Sequence, residues 1–167
     1  AYVAWRYDVG LPVYDRLRGR TYNNLSIDIG APGDERFLGH GWAAREQHPN
    51  FSFRWANSHS SIILIPLKTN ADDYLLEIEW GPFSAPELPP QIVSIDINDI
   101  PITALTLRPG VHVDRITIPS AALRSNLNQI RFRYEYAVAP QDLGISEDQR
   151  QLAIQVASVR LQRILRP

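Results

Sequence analysis

The chain predicts an all-β fold: two antiparallel sheets packed face to face as a jelly-roll β-sandwich. Three observations predict it. Short alternations of apolar and polar residues recur along the chain, clusters of Gly, Pro, Asn and Asp separate them, and no stretch sustains a helical period beyond about two turns. The alternations number about eight to ten, the pattern of a sandwich or barrel.

The first alternation is Leu25, Ile27 and Ile29 against Ser26 and Asp28. It runs into the turn Gly30-Ala31-Pro32-Gly33-Asp34, and a loop dense in polar and aromatic groups is expected next, through Gly39-His40-Gly41-Trp42 and on to the region that begins at Phe51. Within that region Phe51, Phe53 and Trp55 alternate with Ser52 and Arg54, a second strand. Ser61 to Leu67 is a continuous apolar run rich in Ile, the signature of a strand buried on both faces. Tyr74 to Trp80 alternates strictly and makes the next strand.

Residues 81–90 hold four prolines and form an irregular connection. Ile92 to Ile97 and Ile102 to Leu107 flank Asn98-Asp99, a pair that tolerates the positive φ of a type I′ hairpin turn. Pro109-Gly110 turns the chain into Val111 to Ile118, and Ser120 to Arg124 has room for a single helical turn. Gln129 to Tyr136 alternates apolar with charged or polar residues, and a loop from Ala137 to Arg150 follows. Leu152 to Leu165 alternates as a long final strand. The β-sandwich is expected over 24–167, with 1–23, aromatic and Arg-rich, as an N-terminal segment packed on it and carrying one short strand at 2–6.

Composition narrows the function classes. A 167-residue chain with 44% hydrophobic residues forms one domain with a genuine core. A net charge of −1 supplies no field that would draw nucleic acid or an anionic membrane. The absence of Cys excludes disulfides, thiolate metal sites and cysteine nucleophiles. No apolar run approaches the roughly 20 residues that span a bilayer as a helix, so no membrane insertion is expected, and the N-terminus does not read as a signal peptide. A chain opening on Ala1 and holding no Met reads as a mature product or as one domain of a larger gene product.

Three groups of residues carry a family resemblance. The first is Ile27-Asp28-x-Gly30-x-Pro32-Gly33-Asp34 with Gly41-Trp42, Glu46 and Phe53-Arg54-Trp55. The second is Val93 to Asn98 with Ile116-Thr117-Ile118-Pro119, Leu123 and Asn126-x-Asn128-x-Ile130. The third is Pro140, Gly144, Ser146, Asp148, Arg150 and Leu152, leading into the final strand. Together, over roughly 24–165, these resemble the accessory jelly-roll domains of bacterial glycosyltransferases and envelope polysaccharide-assembly proteins, which are similar to galactose-binding-like carbohydrate-binding modules. The hairpin reads Asn98-Asp99 where such domains commonly have Asn-Gly. The resemblance implies a non-catalytic domain of a sugar-handling protein, favours an extracytoplasmic or cell-envelope location, and names a glycan and the remainder of a parent chain as partners.

A sugar site needs an aromatic face for C–H groups and fixed polar groups for hydroxyls. That inventory lies in Trp42, Arg45, Glu46, His48, Trp55, Asn57 and His59. Each ring also has a structural reading: Trp55 as core, Trp42 as a loop anchor. Trp80, at a strand end before Gly81-Pro82, reads as structural. Asp28, Asp34, Glu35 and Asp148 could offer oxygens to a structural Ca²⁺, although their spacing is not that of an EF-hand. The alternative has Asp34 and Asp148 making turn hydrogen bonds or pairing with Arg36 and Arg150. No other cofactor is expected.

Catalysis finds little support. His40, His48, His59 and His112 lack zinc-site spacing. Ser58-His59-Ser60 has neighbours that would point to opposite faces of a strand, and no GxSxG motif accompanies it. Glu77 and Glu79 would share one face of a strand, whereas glycosidase carboxylates usually face each other across a cleft. The expected function is a carbohydrate-binding or structural accessory domain of a larger glycosyltransferase-type protein. A scaffold or protein-interaction sandwich without a sugar site is the second reading, and a glycan-processing enzyme the third.

Overall fold

A computed structural model of the chain describes residues 20–167. Among the described residues, ten strands form two antiparallel sheets: β1 (Leu25–Asp28), β2 (Trp42–His48), β3 (Phe51–Ala56), β4 (Ser60–Leu67), β5 (Tyr74–Pro82), β6 (Ile92–Ile97), β7 (Ile100–Thr106), β8 (His112–Ile118), β9 (Asn126–Tyr134) and β10 (Ile154–Arg163). The six-stranded sheet runs β2-β3-β10-β5-β8, with β1 also paired to β10, and the four-stranded sheet runs β4-β9-β6-β7. The expected jelly-roll sandwich is present. Three short 3₁₀ turns, Asp34–Phe37, Ser120–Ala122 and Pro140–Leu143, are the helical elements among the described residues.

The core follows from the alternation. Trp80, Ile78, Leu76 and Tyr74 on β5 face Phe132 and Ile130 on β9, all with 0% exposure. The Trp80 ring meets Phe132 edge-on at 5.7 Å and so links the two sheets. The structural reading of Trp80 holds: its indole N–H also donates to the Asp114 carboxylate at 2.8 Å. Polar groups inside are paired, as burial requires. Asn98, 4% exposed, donates to Ala122 O and Asn128 Oδ1 and accepts from the Gln129 N–H, tying the β6–β7 turn to the β8–β9 connection.

One local expectation is corrected. The region entered through Trp42 is not simply a loop: Trp42–His48 is strand β2, paired with β3 through a hairpin that turns at Pro49-Asn50. Its register slips between Trp42 and Arg45, and most of its residues are exposed or half-buried. An edge strand of this kind has no buried face to impress a period of two on its sequence, so alternation could not reveal it.

Gly41 shows why the region holds its path. It has φ of 89°, and a Cβ there would lie 2.2 Å from the Ser60 carbonyl oxygen. The strand expected at 2–6, and most of the segment 1–23, lie outside the described residues. Tyr22, near the segment's end, donates its N–H to Pro66 O at 3.0 Å and accepts from the Lys68 N–H at 2.8 Å along the edge of β4.

Candidate functional site

The arrangement that stands out is the outer face of the six-stranded sheet around β3. Successive strand side chains point to opposite faces. Ala56 is 0% exposed in the core, and Arg54 and Ser52 share its direction. Phe51, Phe53 and Trp55 therefore project outward, and each is half-buried. They form a row: His48 stacks on Phe51 at 4.5 Å and 18°, Phe51 meets Phe53 at 5.8 Å, Phe53 meets Trp55 at 6.1 Å, and Trp55 meets Phe83 at 6.1 Å. The last two contacts are edge-to-face, at 85° and 80°, so the row is a corrugated apolar strip rather than one flat wall.

Polar groups flank the strip on the same face. The register sets Gln155 of β10 opposite Trp55, Glu46 of β2 opposite Phe53, and His48 opposite Phe51. Arg150 reaches from the β9–β10 connection to Glu46 at 3.1 Å while holding Asp148 at 2.7 Å. This partnership with Asp148 raises the Arg150 guanidinium pKa and holds the Asp148 carboxyl below its ordinary value. Further across the sheet, Ser158 Oγ donates to Glu79 at 3.3 Å, and Arg115 lies 3.6 Å from Glu77.

The inner side of β3 positions the strip. Arg54 clamps the buried Asp34 with both Nε and Nη2, and its Nη1 donates to Ala43 O at 2.9 Å. Asp34 accepts the expected kind of turn hydrogen bond, from the Gly30 N–H, but pairs with Arg54 rather than Arg36, while Asp148 both accepts from the Arg150 N–H and pairs with its guanidinium. Burial pushes the Asp34 carboxyl up, but hydrogen bonds from Arg54 and the Gly30 N–H outweigh it and hold the pKa below the ordinary value.

Of the seven residues singled out for sugar, three come together on this face: Glu46, His48 and Trp55. Trp42 lies opposite Ala56, packs on the core and donates its indole N–H to Ile62 O at 2.8 Å, which is a loop-anchor geometry. Arg45 is exposed and sits opposite Arg54, on the other side of the hairpin. Asn57 and His59 are exposed in the turn between β3 and β4, where the backbone of Asn57 bonds Gly41 and that of His59 bonds Tyr134.

Phe51, Phe53, Phe83 and Gln155 on this face, with Glu79 and Ser158 farther across it, were not among the residues singled out for sugar. The Phe51-x-Phe53-x-Trp55 alternation was itself the signal for the strip, but alternation says only that three rings share a face, not which face. Phe83 and Gln155 arrive through long-range register, which no local pattern carries.

Asp28 accepts from the Ser52 hydroxyl at 3.1 Å, Asp34 is committed to Arg54, and Asp148 to Arg150. Among the described residues, no three His, Asp or Glu side chains gather closely enough to hold a metal ion. Glu77 and Glu79 share the outer face, as their spacing implies. No helix among the described residues is long and apolar enough to cross a membrane.

No protein-family model matches the chain, and no curated protein is similar to it in sequence. Solved structures are similar in fold. A family 35 carbohydrate binding module from Clostridium thermocellum superposes with a TM-score of 0.54 at 10% identity, over 84% of this chain and 98% of the module. The architecture shared with it is the two-sheet jelly-roll sandwich. A family 35 module from an environmental isolate gives 0.50 at 15% identity, over 86% of this chain and 99% of that one. An exo-beta-1,3-galactanase from Phanerochaete chrysosporium, solved with galactose, gives 0.51 at 12% identity, over 85% of this chain but 30% of the enzyme. At these identities the likeness concerns architecture, and what the outer face does rests on its own residues.

Proposed function

We propose that this domain binds a glycan on the outer face of the six-stranded sheet, with Trp55, Phe53 and His48 as apolar contacts and Glu46 and Gln155 as partners for hydroxyls. The observation that carries the reading is the ring row from exposed His48 through half-buried Phe51, Phe53 and Trp55 to Phe83, beside Gln155 and the Glu46–Arg150 pair. A sugar has apolar C–H faces and a polar rim, and a corrugated aromatic strip with flanking carboxylate, amide and guanidinium groups matches both. The Glu46–Arg150 contact orients the carboxylate before a ligand arrives, which lowers the ordering cost of binding. The module-like fold supports the same reading.

Resemblance extends it: a non-catalytic accessory domain of a larger bacterial glycosyltransferase-type or envelope polysaccharide-assembly protein, working on the extracytoplasmic side. Arg45, on the other side of the hairpin, and Asn57 and His59, in the β3–β4 turn, would then lie outside the site, and Trp42 would hold the hairpin.

The deciding experiment is a glycan-array screen of the protein beside Trp55→Ala and Trp42→Phe variants. Binding lost in Trp55→Ala and kept in Trp42→Phe, with both folded by circular dichroism, is the expected result. Binding that survives Trp55→Ala moves the site off this face. No binding to any glycan at millimolar concentration favours the scaffold reading.

A further inference from the structure

A concavity lies at the end of the sandwich where the proline-rich β5–β6 connection meets the β7–β8 turn. It encloses about 390 Å³ and is lined chiefly by Pro82, Pro89, Pro90, Leu107, Tyr136 and Arg108. That volume falls within the ~300–1,000 Å³ of small-molecule sites. Its walls are preformed, because proline rings have a locked φ and little freedom to lose.

The polar atoms near its floor are already used. Gln91, 1% exposed, donates to Tyr136 O and Ala153 O and accepts from the Tyr136 N–H. The Tyr136 hydroxyl donates to Phe83 O. With those groups turned inward, the concavity offers a ligand chiefly apolar surface and ring faces, with Ser84 and Thr106 as the hydroxyl-bearing residues of the lining. Arg108 is the single charged residue in the lining, and it is exposed with no hydrogen bond or ion pair among the described residues.

We propose that this cleft is a second binding site, taking a small carboxylate with a flat apolar body, an arene carboxylate. The ring would lie against the prolines and Tyr136, where flat apolar faces stack. The carboxylate would meet the Arg108 guanidinium, whose planar fork suits a two-oxygen anion. A neutral isostere lacks the second contact, so charge as well as shape is selected. The proposal stands apart from glycan binding on the sheet face, and its probe contains no sugar.

The test titrates 2-naphthoate and neutral 2-naphthamide into the protein by calorimetry, with Arg108→Ala and Leu88→Trp variants. Leu88 also lines the cleft, and an indole there would occupy it. Saturable naphthoate binding, at least tenfold weaker in Arg108→Ala and for the amide, and absent in Leu88→Trp, is the expected set. Nuclear Overhauser contacts from the naphthoate ring to Tyr136 would support the placement even if Leu88→Trp failed to fold. No saturable binding up to several millimolar overturns the proposal. So does binding indifferent to Arg108→Ala, which would mean a merely greasy cleft.

Discussion

Arg54 closes on Asp34 with two parallel hydrogen bonds, Nε to Oδ2 at 2.7 Å and Nη2 to Oδ1 at 2.8 Å, beneath the strand that carries the aromatic strip. The Asp34 side chain has 0% exposure and that of Arg54 14%, so water screens little of the pair. The Gly30 N–H also donates to Asp34 Oδ2, which joins the turn after β1 to the inner side of β3. The aromatic strip and the buried clamp occupy opposite sides of one strand.

Removing one partner of that clamp leaves the other charge buried. Arg54→Ala is expected to lower stability by about 3–5 kcal/mol, measured by urea unfolding. Replacing both, as Asp34→Leu with Arg54→Leu, should cost less than the single change because no orphan charge remains. A single-variant loss below about 1 kcal/mol would show that the clamp contributes little.

The same pair sets an acid limit. The Asp34 carboxyl sits below its ordinary value of 3.8 in the folded protein, so its contribution is present above that value and fades as pH falls through the lower folded one. Asp73 is shifted in the same direction, first through the Ser120 N–H. Stability should therefore decline as pH drops below about 4. Asp34→Asn should be less stable at pH 7 and show a shallower decline, which unfolding curves at pH 7, 4 and 3 would reveal.

Trp42 and Trp55 should separate stability from binding. Trp42→Phe loses the hydrogen bond to Ile62 O, which keeps the one from the Gly39 N–H, together with part of a ring packed on the core, and should cost about 1–2 kcal/mol. Trp55→Ala removes a half-buried outer ring and should instead abolish glycan binding with a smaller change in melting temperature. Reversed outcomes would exchange the roles assigned to the two rings.

The hairpin turn offers a contrast between neighbours. Asn98 and Asp99 both have positive φ, at 50° and 67°, which glycine adopts without strain. Asp99 is exposed and Asn98 buried, so Asp99→Gly should alter stability by no more than about 0.5 kcal/mol. Asn98→Gly keeps the turn but loses three side-chain hydrogen bonds, with an expected cost of about 2–3 kcal/mol. Equal effects would mean that the network adds nothing beyond turn geometry.

The sequence by itself determined the fold class, the order of most strands and the turn at Asn98-Asp99. A strand with one buried face writes a period of two into its residues, and Tyr74 to Trp80 carries that signal without help. β2 carried no such signal, because an edge strand is held by hydrogen bonds to a neighbour rather than by a buried side. Tertiary structure alone decided which face Trp55 occupies, that Asp34 meets Arg54 twenty residues away rather than nearby Arg36, and that Phe83 and Gln155 join the strip. Alternation tells which residues share a face, but packing of the second sheet decides which face is buried. Long-range register then chooses each side chain's neighbours, and a binding surface consists of those neighbours.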